Sequence, residues 1–188
     1  PESEWEAYGL NYTSGTGGTP KGVVIHHRGA YLMAMGTVPA WGVPQHPVYL
    51  YTVPMFHCNG WGHAWLNALV AGSIICVKKI SAKIIFDAIS EYRVTHFGGA
   101  PVVLGLLINA PEIDQKTFKH SVQVMTAGAP PPPAVLEKVE KLGMEIMQVY
   151  GLTETFGHIM HCAWNTDWDD LDFGEQAAIK ARQGVQFT

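Results

Sequence analysis

Residues 73–109 read SIICVKKISAKIIFDAISEYRVTHFGGAPVVLGLLIN. Ser73–Val77 is a short apolar run behind Gly72, the pattern of a buried strand. Ser81 stands where an N-cap belongs, and Ile84, Ile85, Ala88 and Ile89 fall at helical spacing within Ala82–Tyr92. Thr95–Phe97 is a second short strand, and Pro101 opens another apolar helix that runs to Asn109. Strands joined by helices of about ten residues pair in parallel, so the stretch implies a layered α/β fold with helices packed on a mostly parallel sheet.

The alternation continues on both sides. Upstream, Tyr8–Tyr12 and Val23–Ile25 read as strands around a Gly-rich loop, Ser14–Gly22. Arg28–Val38 reads as a helix ended by Pro39, Val48–Val53 as a strand between prolines, and Trp61–Val70 as a helix stopped by Gly72. Downstream, Val122–Thr126 and Glu145–Val149 are strands flanking a helix, Ala134–Leu142, that Gly143 caps. Asp169–Asp172 open a last helix ending near Gly184, where acidic residues suit the helix dipole. No linker or repeat divides residues 1–188, so a single α/β unit is expected.

Composition excludes several classes of function. Apolar residues make up 47% of the 188 residues, which rules out intrinsic disorder. Only 15% are charged, so some uncharged surface is expected to be covered by a ligand or by more protein, and self-association is expected. A net charge of −4 without a basic run gives no electrostatic basis for capturing nucleic acid or an anionic membrane. The longest apolar stretch, Ala64–Val77, is too short and too interrupted to span a bilayer. Three scattered cysteines, Cys58, Cys76 and Cys162, argue against a disulfide framework and for a reducing, cytoplasmic setting. The start on Pro1 and the lack of a signal-like N-terminus suggest a piece of a longer cytoplasmic protein.

The chemistry concentrates in Tyr12–Gly22, YTSGTGGTPKG. Gly15, Gly17, Gly18 and Gly22 permit a tight backbone that turns successive N–H groups toward one anion. Thr13, Ser14 and Thr16 add hydroxyl donors, and Lys21 adds a mobile positive charge. These are the parts of a polyphosphate cradle. It is neither a Walker loop, because Pro20 and Gly22 flank the lysine, nor a dinucleotide fingerprint, because the last glycine position holds Pro20. A surface loop that binds nothing is the alternative.

YTSGTGGTPKG resembles the signature of the adenylate-forming superfamily, which includes acyl-CoA synthetases, luciferases and peptide-synthetase adenylation domains; Gly17 stands where that signature has a second threonine. Tyr150-Gly151-Leu152-Thr153-Glu154 resembles the family's Y-G-x-T-E motif, and Gly128-Ala129-Pro130 its adenine-pocket loop. Pro54-Met55-Phe56-His57-Cys58-Asn59-Gly60-Trp61 is similar to a segment of the acyl-CoA synthetases. The resemblance spans essentially the whole chain, and HHRGAYL, YGLTETFGH and EQAAIKARQGV look most like fatty-acyl and 3-methylthiopropionyl-CoA ligases.

The resemblance implies a central fragment of the large domain of an enzyme that turns a carboxylic acid, ATP and coenzyme A into an acyl-CoA thioester through an acyl-adenylate. It places Thr13, Ser14, Gly15, Thr16, Gly17, Gly18 and Lys21 on the β- and γ-phosphates, and Thr153 on the α-phosphate. Glu154 would be the carboxylate ligand of Mg²⁺, and Tyr150 and Gly151 with Gly128, Ala129 and Pro130 would hold adenine. His57, Trp61, Gly98 and Gly99 would border the acyl group, with core packing the alternative for Trp61. The family's ribose-binding aspartate and catalytic lysine have no counterpart in this sequence. A nucleotide-binding or structural fragment without turnover is therefore the second expectation. His158, His161 and Cys162 would share one face if helical, but they lack zinc spacing. Asp167–Asp172 lacks the spacing of a calcium loop, and no G-x-S-x-G elbow supports serine hydrolysis.

Overall fold

The computed structural model describes residues 1–13 and 18–187. Strands β1 (Ala7–Tyr12) and β2 (Gly22–His26) form an antiparallel two-stranded sheet of their own. The larger sheet contains β3 (Val48–Tyr51), β4 (Ser73–Cys76), β5 (His96–Gly98), β6 (Gln123–Thr126), β7 (Glu145–Leu152), β8 (Gly157–His161) and β9 (Val185–Gln186). Its order is β4-β3-β5-β6-β7-β8-β9, parallel from β4 through β7 and antiparallel at the β7-β8-β9 edge. The helices are α1 (His27–Ala40), α2 (His63–Leu69), α3 (Ala82–Tyr92), α4 (Pro101–Ile108), α5 (Pro133–Lys141) and α6 (Phe173–Lys180).

Strand alternation divides the core into two layers. Leu50, Phe97, Val124 and Ile146 face α3–α6, where Ile85, Phe86, Leu104, Leu107, Leu136 and Ala177 are buried. Tyr49, Tyr51, Met125 and Val149 face the other way, onto Trp41, Trp61, Leu66 and Val70. The mostly parallel α/β sheet expected from residues 73–109 is thus present, with helices on both faces. Full burial of one large apolar side chain contributes about 1.5–3 kcal/mol, and twelve of the larger residues are less than 2% exposed.

Local signals hold where they are self-contained. Ser81 Oγ accepts from Ile84 N–H at 3.3 Å, and Gly143 takes a φ of 83° after α5. Asp172 caps α6 by accepting from Glu175 N–H at 2.8 Å, while the Glu175 carboxylate accepts from Asp172 N–H at 3.3 Å. That reciprocal cap fixes the start at Phe173, so the acidic residues before Asp172 lie outside the helix. His26 begins α1 by accepting from Gly29 N–H at Nδ1 (2.9 Å).

Other expectations are corrected. Pro39 does not end α1: it sits in the last turn, and Trp41 N–H still reaches Thr37 O at 3.0 Å. A proline so near the C-terminus removes little, and the buried Trp41 anchors the turn. The helix expected over Trp61–Val70 starts only at His63. His158 and His161 lie on β8 rather than on a helix. Among the described residues, no three His, Cys, Asp or Glu side chains could hold a metal together, and no helix is long and apolar enough to cross a membrane.

Candidate functional site

A cleft of about 1100 Å³ opens between the β1–β2 hairpin and the β7–β8 end of the large sheet. Thr13, Gly18 and Lys21 come from the hairpin, Gly128 from the loop after β6, and Gly151, Thr153 and Glu154 from the end of β7 and the turn after it. His57 and Trp61 complete one wall. Nine of the expected site residues, drawn from four separate stretches of sequence, therefore share a single cavity. Ser14, Gly15, Thr16 and Gly17 lie outside the described residues.

At the base of the hairpin loop, Thr13 N–H donates to Lys21 O at 3.0 Å, and the Thr13 hydroxyl accepts from Lys21 N–H at 3.2 Å. Thr13 thus closes the loop and positions Lys21, whose side chain is exposed. At the opposite wall, Cys58 Sγ donates to Thr153 Oγ1 at 3.4 Å. Burial pushes the Cys58 thiol up, so it stays protonated and donates, leaving the Thr153 hydroxyl proton available to a ligand. Glu154 is exposed on the cleft and makes no ion pair among the described residues. An unpaired carboxylate facing the cavity fits a cation held jointly with ligand phosphates.

The segment bearing His57 has an unusual backbone. Cys58, Asn59, Gly60, Trp61 and Gly62 all have φ between 43° and 71°, one continuous left-handed turn. Each non-glycine residue there costs about 1–2 kcal/mol, which tertiary contacts must offset. Tyr51 Oη donates to Gly60 O at 3.0 Å, and Asn11 Nδ2 donates to Asn59 Oδ1 at 2.9 Å, tying the turn to β3 and to the hairpin. The turn swings Trp61 into the cleft wall and ends where α2 starts. Strain of this kind gathers at functional sites.

Trp61 is 8% exposed, so it belongs to the core and to the cleft at once. Gly98 lies behind it: a Cβ added there would stand 3.2 Å from Trp61 Cε3. Gly98 therefore makes room for the wall rather than lining the cavity, whereas Gly99 neither lines it nor backs Trp61: a Cβ there would meet Val103 at 3.4 Å. Tyr150, 39% exposed on β7, is not on the cleft wall, nor are Ala129 and Pro130. Cys58 and His158 do line the cleft without having been singled out as ligand contacts by their sequence context.

Behind the cleft, His63, His96 and His158 are all buried. Tyr49 Oη donates to His63 Nδ1 and accepts from Gly98 N–H at 3.1 Å. Burial lowers all three histidine pKa values, His96 to about 4 and His158 to about 3, while His63 is pushed down further by His158 and His96. All three rings are neutral at pH 7.

A family model described as AMP-binding enzyme matches residues 1–182. The chain belongs to this family. Among curated relatives of this AMP-binding chain, the acetate/butyrate–CoA ligase AAE7 of Arabidopsis thaliana, named as peroxisomal, is 49% identical over 100% of the chain. The 2-methylpropanoate–CoA ligase CCL4 of Humulus lupulus is 52% identical over 98% of it. The chain spans only about a third, 33%, of either relative's length. Among solved structures, the inhibitor-bound N-terminal domain of FACL13 from Mycobacterium tuberculosis is 28% identical, with a TM-score of 0.76 over 82% of this chain and 39% of that one. The O-succinylbenzoate coenzyme A synthetase MenE of Bacillus subtilis, solved with ATP and magnesium ion, is 23% identical, with a TM-score of 0.78 over 88% of this chain and 34% of that one, a likeness of fold.

Proposed function

We propose that this chain is the ATP- and carboxylate-holding part of an acid–CoA ligase that works through an acyl-adenylate. The observation that carries this is the single cleft gathering Lys21, Thr153, Glu154, Gly128, His57 and Trp61. In the first half-reaction a carboxylate oxygen attacks the α-phosphorus of ATP and pyrophosphate leaves. In the second, the thiol sulfur of coenzyme A attacks the acyl carbonyl and AMP leaves. Charge develops on phosphate oxygens in the first step, so fixed donors and cations supply the catalysis.

Lys21 and the loop that Thr13 closes bind the β- and γ-phosphates. The Thr153 hydroxyl, oriented by Cys58, donates to the α-phosphate. Mg²⁺, when bound, would neutralise phosphate charge from a position held by Glu154. Gly128 and Gly151, both on the cleft wall, hold adenine, and His57 and Trp61, the latter backed by Gly98, border the acyl group. The relatives named for acetate, butyrate and 2-methylpropanoate support a short acid over a long fatty acid. A cytoplasmic setting remains part of the proposal; the three cysteines are free, and one relative is named as peroxisomal.

Loss of one charge-assisted contact costs about 1.5–3 kcal/mol. Lys21→Ala is therefore expected to weaken binding of ATP with Mg²⁺ by at least tenfold in isothermal titration. Equal affinity in both proteins would remove Lys21 from the phosphate site.

A second reading, nucleotide binding without turnover, is favoured for the isolated chain because it spans 33% of its relatives. The resemblance puts the ribose-binding aspartate and the catalytic lysine outside these residues. Carboxylate-dependent pyrophosphate release from ATP should accordingly be absent with the 188 residues alone. Robust release with any acid from propionate to palmitate would show that the chain needs nothing further.

A further inference from the structure

The one buried residue of β1 is polar: Asn11 is 7% exposed, while Leu10 and Tyr12 on either side are exposed. A carboxamide is a poor strand former and is costly to bury without a partner. Its partner is Asn59, whose Oδ1 accepts from Asn11 Nδ2 at 2.9 Å. Asn59 stands in the left-handed turn at φ 45° and ψ 47°, a conformation that asparagine tolerates better than most side chains. Among the described residues this is the only hydrogen bond from β1 or β2 to the turn or to the β7–β8 side of the cleft. The aromatic contacts of the hairpin lie further from its loop, where Tyr8 packs on Trp65 at 5.1 Å and on Phe156 at 6.1 Å.

Two consecutive residues of one turn thus hold the two sides of the cleft. Cys58 donates to Thr153 Oγ1, just past the end of β7. Asn59 holds β1 two residues before Thr13, whose backbone and hydroxyl close the loop on Lys21. The turn between them is itself fixed to the large sheet, because Tyr51 Oη on β3 donates to Gly60 O. It therefore acts as a spacer between Lys21 and Thr153. Neither Asn11 nor Asn59 lines the cleft, so both act on a ligand only through where the hairpin stands. A ligand that reaches from Thr153 to Lys21 depends on that spacing, and one that ends at Thr153 does not.

We propose that Asn11 and Asn59 are a positioning pair that holds the phosphate loop within reach of the β- and γ-phosphates of ATP. The proposal rests on the ligase reading above, which puts those phosphates at Lys21 and the α-phosphate at Thr153. The test is isothermal titration of the chain with two ligands, ATP with Mg²⁺ and a non-hydrolysable adenosine butanoyl-sulfamate. The sulfamate mimics the acyl-adenylate and carries nothing in place of the β- and γ-phosphates. Asn11→Ala removes the donor and leaves the turn as it is. Asn59→Gly removes the acceptor and keeps a residue at ease at positive φ. Loss of one neutral hydrogen bond changes an equilibrium constant about fivefold. Each variant should therefore bind ATP about fivefold more weakly and the sulfamate as the wild type does. The double variant should match the single ones, because the two residues act through one bond. A merely structural role would instead weaken both ligands in step with a fall in Tm. If the wild type fails to bind one or both ligands, the ligase reading fails and this proposal falls with it. If the variants keep the wild-type affinity for ATP, or lose ATP and the sulfamate alike, this proposal alone is overturned. Should one variant fail to fold, the other decides.

Discussion

The chain should lose stability steeply as pH falls from about 6.5 toward 4, because three imidazoles must take up protons inside the core. In the unfolded chain each histidine titrates near 6.5. In the folded protein burial lowers His96 to about 4 and His158 to about 3, and burial with repulsion from the other two holds His63 well below its usual value. Below pH 6.5 the unfolded chain therefore binds more protons than the native one, and acid favours unfolding; above it these groups contribute no pH dependence. At pH 5, His96 and His158 each contribute about 2 kcal/mol of destabilisation, or about 4 kcal/mol together. That is a large share of the 5–15 kcal/mol typical of a folded domain. Urea midpoints at pH 7.5, 6 and 5 measure the effect. His96→Asn should remove about a third of the slope, since three comparable groups share it. Equal midpoints at pH 7.5 and 5 would mean that these rings are reached by water or are already charged.

Much of the fold is legible because the signals are local. The crossover through α3 needs only Ser81, its apolar spacing and the glycines and proline that bound its neighbours, all within residues 73–109. What escaped depends on distant partners. The left-handed turn at Cys58–Gly62 is held by Tyr51 and Asn11, so its shape cannot be read from Cys58-Asn59-Gly60-Trp61-Gly62, although two glycines and an asparagine hint at positive φ. Strand β8 mixes His158 and His161 with Ile159 and Met160, and its register shift spoils the two-residue period that would have marked it. The candidate site divides the same way. Lys21, Thr153 and Glu154 belong to continuous motifs and meet in the cleft. Cys58 and His158 matter through contacts 95 and 121 residues away in sequence, to Thr153 and Thr37, which no local pattern records.

Gly151 joins motif and fold, and Gly151→Ala should damage both. On β7, Tyr150 pairs with Met160 while Gly151 pairs with His158, so Ile159 is an extra residue and β8 is bulged. The bulge brings the strands so close that a Cβ on Gly151 would stand 1.8 Å from Gly157 O and 2.6 Å from His158 Cα. Both obstacles are backbone, and Gly157 O is also held by the Thr155 hydroxyl at 2.7 Å, so no side-chain rotation relieves the contact. The strands must part at the bulge. The cost is at or above the upper end of the roughly 1–3 kcal/mol that overpacking carries, and for a chain of this size it lowers Tm by about 6–12 °C. Parting β7 from β8 also moves Thr153 and Glu154, which follow directly on β7, and His158, which directly opposes Gly151. Nucleotide affinity should therefore fall along with stability. Gly105→Ala provides the control: it lies in α4, a Cβ there meets nothing within 4 Å, and alanine in a helix is worth about 0.5–1 kcal/mol over glycine. Thermal melts of the two variants should shift in opposite directions. A Gly151→Ala protein that melts with the wild type and binds ATP equally well would show that the glycine of this motif is not needed for the close approach of β7 and β8.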